Sequence, residues 1–230
     1  MGKRLFDIVF SLLALALLAP LFVLAAIGIR LSSPGPIMYR ASRAGRNGEP
    51  FIMHKFRTMR HPGTRGRVGA VGSVITGATD PRVFAFGSLL RRLKIDELPQ
   101  FYDVLRGKMS LVGPRPEDLR IVSEEYTAEQ RETLRARPGL ASPGSLYAYT
   151  HGDRYLDTDD PERAYINDLL PIKLALETVY VQHVSFLYDL RIIARTVWVI
   201  TVTALGICEF ADPPEMNEAL GLLLAESPSS

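Results

Sequence analysis

The chain is poor in cysteine and histidine. A single cysteine, Cys208, stands among 230 residues, which excludes an internal disulfide framework. No CxxC pair occurs and the four histidines are scattered, so a structural zinc site is not indicated. The net charge of +2 at pH 7 is also small, and the length suits one ordinary domain better than two.

The charges that are present are unevenly distributed. Residues 40–67 hold eight Lys or Arg and one acid, whereas residues 209–230 hold five acids and no Lys or Arg. A basic front half of this kind favours an anionic partner, such as lipid headgroups, nucleotide phosphates or nucleic acid. Nucleic acid is the weakest of the three, because no recognisable binding module is present and the basic stretch follows a long apolar run.

That apolar run, residues 8–29, is uncharged and predicts a helix of about 33 Å, enough to reach across a bilayer. A cleaved signal peptide fits poorly, because the run is too long and no small-x-small site follows it. A simple transmembrane anchor is an alternative. Pro20 predicts a kink, however, and cations flank both ends, so a helix that dips in and returns to the same face is favoured. The flanking cations are Lys3, Arg4, Arg30, Arg40, Arg43 and Arg46.

Two short strand-like runs follow, at residues 37–40 and 49–56. The segment between them, residues 44–48, has hairpin-loop chemistry, so we predict a small β-hairpin. Its end, residues 55–60, alternates cationic and apolar side chains, which fits either a solvated strand face or a strip that faces phosphate. Residues 61–79 are rich in glycine and predict a loop that could act as a lid over a site; they lack the spacing of a P-loop or a dinucleotide fingerprint.

Two adjacent carboxylates, Asp96 and Glu97, lie within residues 84–106, which have helical periodicity with a boundary at Pro99. They directly follow Arg91, Arg92 and Lys94. Surface acids that pair with these cations are one interpretation. The other is a phosphate-chemistry site, because acids can hold a divalent metal or attack phosphorus while cations hold anionic oxygens.

A rigid turn follows at Gly113-Pro114-Arg115-Pro116. Two prolines fix the backbone on either side of Arg115, so its guanidinium loses little entropy on binding an anion. The turn is either purely structural or a preorganised anion clamp.

The remaining chain is predicted to be mainly helical. Residues 117–137 are polar and helical, and residues 146–149 read as a short strand or extended loop. Residues 164–207 predict helix, and the apolar stretch 196–207 is too short to span a bilayer and favours an interfacial helix. The acidic end after residue 208 favours a disordered or docking segment.

The motifs above, taken in order, resemble the bacterial sugar transferases, the monotopic polyprenyl-phosphate phosphoglycosyl transferases. The most specific are Asp96-Glu97-Leu98-Pro99-Gln100 and the Gly113-Pro114-Arg115-Pro116 turn. Further matching segments are residues 3–7, 33–36, 55–59, 79–83, 137–140 and 188–193. Each is modest alone, but their order from residue 3 to about residue 195 makes the resemblance specific.

The resemblance implies an α+β, helix-dominated monotopic membrane protein in its minimal catalytic form. It would have a kinked re-entrant membrane helix at residues 1–32, a catalytic domain at 33–207 with a small β-hairpin and amphipathic interfacial helices, and an acidic tail at 208–230. The implied location is the cytoplasmic face of the bacterial inner membrane. Pro20 would be the kink of the membrane helix.

The implied activity is transfer of a phosphosugar from a UDP-sugar to undecaprenyl phosphate, with release of UMP, as the first step of glycan assembly. Asp96 would be the nucleophile and would also bind Mg²⁺, and Glu97 would assist. The cationic side chains implied to bind phosphate or substrate are Lys55, Arg57, Arg91 and Arg115. Implied partners are the UDP-sugar, undecaprenyl phosphate and bilayer lipids, with no nucleic acid, and a homo-oligomer is allowed.

Two positions depart from the family pattern. Ala19 precedes the proline where Ser is frequent, and residues 140–144 differ from the usual continuation, so no sugar contact is carried over there. The transferred sugar is not encoded in a recognisable motif. The alternative function is a membrane-tethered interaction protein that binds anionic lipid through the basic strip.

Overall fold

The computed structural model describes residues 2–60 and 80–226. The predicted glycine-rich loop at residues 61–79 therefore lies outside the described residues. Helices dominate, as predicted, and the strands form two small sheets. The helices are α1 (Gly2–Leu17), α2 (Ala19–Ser32), α3 (Ala85–Arg92), α4 (Gln100–Leu105), α5 (Leu119–Glu125), α6 (Pro143–His151), α7 (Asp153–Leu156), α8 (Pro161–Ala164), α9 (Leu170–Gln182), α10 (Phe186–Ala204) and α11 (Met216–Glu226). The strands are β1 (Met38–Ala44), β2 (Pro50–Phe56), β3 (Ser110–Val112) and β4 (Gly139–Ala141).

The apolar N-terminal run forms two helices, α1 and α2, that meet at a bend of 60°. Leu18 separates them, and Pro20 occupies the first turn of α2, where a missing backbone N–H breaks no helical hydrogen bond. In the part of the chain that is described, no single helix is long and apolar enough to cross a membrane, but this bent pair together is. The predicted kink is confirmed as a bend, and the side of the membrane on which its ends lie stays a prediction.

The predicted β-hairpin is confirmed, with a first strand that continues to Ala44, beyond the predicted residues 37–40. β1 and β2 pair antiparallel from Met38 opposite Phe56 to Ala44 opposite Pro50. The loop between them places Asn47 and Gly48 at positive φ, 58° and 77°, a conformation that asparagine and glycine adopt most readily. One face of the hairpin packs on the core through Phe51 and Met53.

The helical stretch predicted over residues 84–106, with its boundary at Pro99, has a further interruption before that boundary. α3 ends at Arg92, Lys94 adopts a left-handed conformation with φ of 56°, and one 3₁₀ turn, Ile95–Glu97, leads into α4. Pro99 precedes the first residue of α4, as expected of a proline boundary, and Gly107 at φ 75° ends it. The periodicity concealed the break because leucines continue across it.

The proline-rich turn is fixed by a short parallel sheet that the sequence did not indicate. Ser110 pairs with Gly139 and Val112 with Ala141. Beyond β3 the two chains pass so closely that a Cβ on Gly113 would lie 2.3 Å from the carbonyl oxygen of Arg137. The segment after β4 is α6 rather than the short strand or extended loop predicted at residues 146–149, because Ser142 caps the helix and Pro143 begins it.

The C-terminal helices close the core. Leu174, Leu176 and Val179 of α9 are buried in it, and α11 packs against α9 through Met216 and Ala219. Arg195 of α10 holds Glu215 through two hydrogen bonds of 2.9 and 3.1 Å, just before α11 begins. The acidic end therefore contains a helix, α11, that packs on α9 of the same chain.

Candidate active site

The turn that carries Asp96 and Glu97 is built by an unusual backbone. The left-handed conformation of Lys94 redirects the chain directly before the pair, at a cost that a non-glycine residue rarely accepts. The Lys94 ammonium lies 4.5 Å from the ring centroid of Tyr149 and 3.6 Å from Glu97 Oε1, and these contacts hold the turn. Both carboxylates become buried, each with 7% of its surface exposed.

Glu97 is surrounded by cations. Arg115 donates from Nη1 to Glu97 Oε2 at 2.9 Å and from Nη2 to Oε1 at 2.5 Å, a two-pronged contact with the carboxylate. Lys55 Nζ lies 3.3 Å from Oε1. The structure thus joins the hairpin, the carboxylate turn and the proline-rich turn at one side chain, and both oxygens of Glu97 are occupied.

Asp96 is the opposite case. Its Oδ1 is buried without a hydrogen-bond partner among the described residues. Leaving a buried polar atom unpaired costs about 1–3 kcal/mol, and more when the group is charged, so folded proteins rarely retain one without a function. The sequence motif singles out Asp96, and among the described residues the fold leaves its Oδ1 without a partner.

The pKa values of the two neighbours shift in opposite directions. Burial raises the pKa of Asp96 above its ordinary value, and the adjacent Glu97 raises it further, against nearby cations. Burial would also raise the pKa of Glu97, but Arg115 and two lysines outweigh it and hold that pKa well below its usual range. One carboxylate therefore stays ionised among its cations, while the other is a stronger base than a free aspartate.

Gln100 is a residue that the sequence argument quoted within the motif but did not single out. It is fully buried, and neither its amide nitrogen nor its amide oxygen has a partner in the described part of the chain. Leu98 and Pro99 keep right-handed helical backbone angles, so positions 96 and 100 share one face. The four-residue spacing was the available signal, and it puts a second buried, unpaired side chain about one helical turn after Asp96.

The structure brings together some of the predicted cations and not others. Lys55 and Arg115 contact Glu97. Arg91 donates to Thr58 Oγ1 at 2.8 Å. Burial lowers the pKa of Arg91, and the nearby Asp96 opposes that shift. Arg57 is buried on the 33–36 turn instead, where Nη2 donates to the Ser33 carbonyl at 2.7 Å. Its contacts hold the chain after α2, and its role in phosphate binding stays a prediction.

The Arg115 turn is supported from behind. The Arg115 backbone N–H donates to Glu177 Oε1 at 3.2 Å, and Ser142 Oγ donates to the same oxygen at 2.6 Å. Glu177 Oε2 lacks a partner among the residues described, and burial raises the pKa of this side chain to about 7. Glu177 therefore positions the backbone from which the guanidinium extends.

A second buried carboxylate lies two residues beyond Arg115. Glu117 accepts hydrogen bonds from Lys173 and from the hydroxyl of Tyr165, and Lys173 also donates to Tyr165 at 2.7 Å. Burial opposes the charge, but Lys173 and the hydrogen bonds hold the pKa of Glu117 at about 2. These three side chains are called the Glu117 cluster below.

The donor set at Asp96 fits a magnesium ion. Mg²⁺ is usually held by one or two carboxylates while it keeps several waters and substrate phosphates as ligands. Asp96 Oδ1 is a carboxylate oxygen without a competing partner. Within residues 2–60 and 80–226 no group of three or more His, Cys, Asp or Glu could hold an ion, so a cage made only of protein ligands is not formed there.

Comparison with known proteins identifies the family. The family model described as bacterial sugar transferase matches residues 1–203. The UDP-glucose:undecaprenyl-phosphate glucose-1-phosphate transferase of Caulobacter vibrioides is 38% identical over 198 residues, covering 85% of this chain and 68% of the relative. The exopolysaccharide production protein PSS of Rhizobium leguminosarum bv. phaseoli is 36% identical over 200 residues, covering 85% and 92%.

A relative named for a different sugar matches to a similar degree. The UDP-N-acetylgalactosamine-undecaprenyl-phosphate N-acetylgalactosaminephosphotransferase of Aeromonas hydrophila is 33% identical over 197 residues. The match covers 85% of this chain and 42% of that relative. Similarity of this degree is therefore compatible with more than one sugar.

Proposed function

The chain belongs to the bacterial sugar transferase family and is a transferase, and we propose that it transfers a sugar 1-phosphate from a UDP-sugar to undecaprenyl phosphate. The products are UMP and an undecaprenyl diphosphate sugar, the first intermediate of a surface polysaccharide. The observation that carries the proposal is the contrast within one buried dipeptide. Glu97 is fully paired, while Asp96 presents an unpaired oxygen.

Asp96 is proposed as the nucleophile of a two-step reaction. In the first step Asp96 attacks the sugar-bearing phosphorus, the bond from that phosphorus to the bridging oxygen breaks, and UMP leaves with the electron pair. In the second step an oxygen of undecaprenyl phosphate attacks the same phosphorus and the Asp96 carboxylate leaves. The enzyme returns to its starting state, and no redox partner is needed.

The cations around the pair make the approach of two anions tolerable. Lys55 and Arg115 are held by Glu97, so their positive charge is fixed before a diphosphate arrives. Arg91, anchored on Thr58, adds a third cation. Asp96 would hold Mg²⁺, and the ion when bound would neutralise part of the diphosphate charge. We propose that Glu97 acts by preorganising these cations rather than by attacking phosphorus.

The bent α1–α2 pair is suited to an acceptor that is embedded in a membrane. Its exposed side chains include Leu13, Leu17 and Leu31, each more than 60% exposed. Such a surface would face lipid rather than water, and we propose that both ends of the pair lie on the cytoplasmic side of the inner membrane.

The test is detection of the covalent intermediate. The purified full chain, with Mg²⁺ and each of several UDP-sugars but without lipid acceptor, should release about one UMP per active site and gain the mass of one sugar phosphate. Peptide mapping should place the addition on Asp96, and undecaprenyl phosphate should remove it. Asp96→Asn should abolish both signals, whereas Asp157→Asn, at an exposed position, should keep them.

Full turnover by Asp96→Asn would overturn the role of Asp96 as nucleophile. The absence of UMP release by the wild type with every UDP-sugar would favour the anionic-lipid interaction protein instead. The same panel of UDP-sugars identifies the donor, because the sugar that gives the fastest UMP release is the preferred one. Labelling of a cysteine introduced at Gly2 only from the periplasmic side would overturn the proposed topology.

A further inference from the structure

A cavity of about 250 Å³ lies between the start of α1, the hairpin loop and the chain that enters β4. A water molecule takes about 30 Å³ of liquid volume, so the space admits a larger group. The cavity shares no lining residue with the cluster around Asp96 and Glu97. Its charged lining residues are Lys3, Arg4, Arg46, Arg135, Arg137 and Asp7.

The one acid in this lining is already engaged. Asp7 is 1% exposed, accepts a hydrogen bond from Ser110 Oγ at 2.9 Å and accepts another from the Leu111 N–H at 3.1 Å. Lys3 is paired with Asp189, which also accepts a hydrogen bond from the lining residue Tyr180 at 2.8 Å. Arg135 is paired with Glu132, so Arg4, Arg46 and Arg137 are the lining arginines that have no carboxylate in an ion pair among the described residues.

Arg137 contributes most to this excess of positive charge. Among the residues that the structure describes, its half-buried guanidinium makes no hydrogen bond or ion pair. Burial lowers the pKa of Arg137, Arg4 and Arg46 lower it further, and Asp7 opposes them only in part. A planar group with five donors, held near two like charges, is the arrangement in which a phosphate is bound rather than one that stabilises an empty fold.

The neighbouring arginines are held in place by backbone carbonyls. Arg4 donates to the carbonyl oxygens of Val104 and Leu105, at 2.6 and 2.8 Å, and Arg46 Nε donates to the Arg135 carbonyl at 3.0 Å. These contacts fix position without neutralising charge. The partly buried Arg4 therefore adds a fixed positive charge to the cavity, and the exposed Arg46 is tethered at Nε.

An exposed apolar surface begins at the rim of the cavity. Val184 lines the cavity and is 48% exposed, and Phe186 and Leu187 follow it at 52% and 59%. Leu5 on α1 is 65% exposed, and the ring of its neighbour Phe6 packs edge-on against Phe186 at 5.3 Å between centroids. A charged recess beside an apolar rim accommodates a ligand with a phosphate at one end and hydrocarbon at the other.

We propose that this cavity binds a phosphate group, separate from the Asp96 site, with Arg137 and Arg46 as its principal contacts. The phosphate belongs either to an anionic phospholipid headgroup or to a soluble phosphate ester. The proposal does not rest on the proposed transferase reaction, because its test uses neither donor nor acceptor substrate.

The test measures the thermal unfolding midpoint of the purified full chain in an uncharged detergent. The probes are inorganic phosphate, glycerol 3-phosphate and dihexanoyl phosphatidylglycerol, each over a concentration series. A probe at roughly 100-fold above its Kd should raise the midpoint by about 5 °C or more. Arg137→Gln and Arg46→Gln should lose most of this rise, and Arg163→Gln, an exposed arginine on α8, should keep it.

The probes distinguish the two sources. Stabilisation by phosphatidylglycerol alone assigns the cavity to a lipid headgroup, and equal stabilisation by glycerol 3-phosphate assigns it to a soluble ester. No stabilisation of the wild type by any probe, or a rise that both variants retain, overturns the proposal. Without a probe, Arg137→Gln should unfold no earlier than the wild type because like-charge repulsion is relieved; a midpoint several degrees lower would assign Arg137 a structural role and contradict the proposal.

Discussion

Two buried carboxylates, Asp96 and Glu117, lie in one domain and differ in what surrounds them. Glu117 is paired with Lys173 and Tyr165, and its pKa falls to about 2. Asp96 keeps an oxygen without a partner and a raised pKa. Burial is similar, at 7% exposure in both cases, so burial alone does not distinguish a functional acid from a structural one.

The difference lies in which groups are satisfied. A fully hydrogen-bonded buried ion pair fixes a fold, and its removal leaves an uncompensated charge. An unpaired acid costs stability in the folded protein and is retained where a substrate or ion completes its contacts. Glu97 combines the two roles, since it is satisfied like Glu117 but lies beside Asp96.

The largest difference between the Asp96 site and the Glu117 cluster is expected from Asp96→Asn. Turnover should fall by about 10³-fold or more, because the nucleophile is lost, which corresponds to roughly 4 kcal/mol of transition-state stabilisation. The unfolding midpoint should not fall, because no hydrogen bond to Oδ1 is removed. Activity and thermal unfolding measured on the same preparation test both parts, and a large loss of stability would contradict the distinction drawn here.

The reciprocal change, Glu117→Gln, should act on stability. Lys173 would keep its charge in a buried position without a carboxylate, and breaking a buried pair in this way costs about 3 kcal/mol. Urea unfolding measures this loss. Turnover per folded molecule should change by less than about tenfold, equivalent to 1.4 kcal/mol. A variant as stable as the wild type would mean that the Glu117 cluster contributes little to the fold.

Local signals predicted much of the fold. The hairpin, the bend before Pro20 and the end of α4 at Gly107 depend on turn and cap residues that act within a few positions. The start of α6 was missed although Ser142 and Pro143 carried the standard helix-start signal, because the run Leu146-Tyr147-Ala148-Tyr149 was read by its β-propensity. Local signals conflict in such places, and packing decides.

The site could be predicted only in part. The Asp96–Glu97 motif marks the chemistry, but the pairing of Glu97 with Arg115 depends on the parallel contact between β3 and β4, which joins segments far apart in the sequence. The alternating cations at residues 55–60 predicted a single strip of like side chains. In the structure Lys55 contacts Glu97, whereas Arg57 contacts Ser33. Side chains two positions apart reached different partners because β2 ends between them, at Phe56.

Gln100→Met should separate activity from stability on a smaller scale. Methionine has a similar shape without polar atoms, so it removes two unpaired buried groups and should stabilise the fold by about 1 kcal/mol. Turnover should fall by about tenfold if the amide contacts a group bound at Asp96, equivalent to 1.4 kcal/mol. Gln182→Met, at the exposed end of α9, is the matched control and should change neither property. Undiminished turnover in Gln100→Met would limit the functional group to Asp96 and its cations.

The smallest expected effect is a pH dependence that distinguishes Glu177 from Glu117. The folded pKa of Glu177, about 7, exceeds its ordinary value of 4.5, so its contribution to stability is complete below pH 4.5 and is lost as the pH rises through 7. The folded pKa of Glu117, about 2, is depressed, so its contribution is present above pH 4.5 and is lost as the pH falls towards 2. Glu177→Gln should therefore flatten the stability profile between pH 4.5 and 7 and leave its acid limb unchanged, as measured by urea unfolding across that range. An unchanged slope between pH 4.5 and 7 would mean that Glu177 remains ionised beneath the Arg115 turn, and that the turn is held by a charged rather than a neutral acceptor.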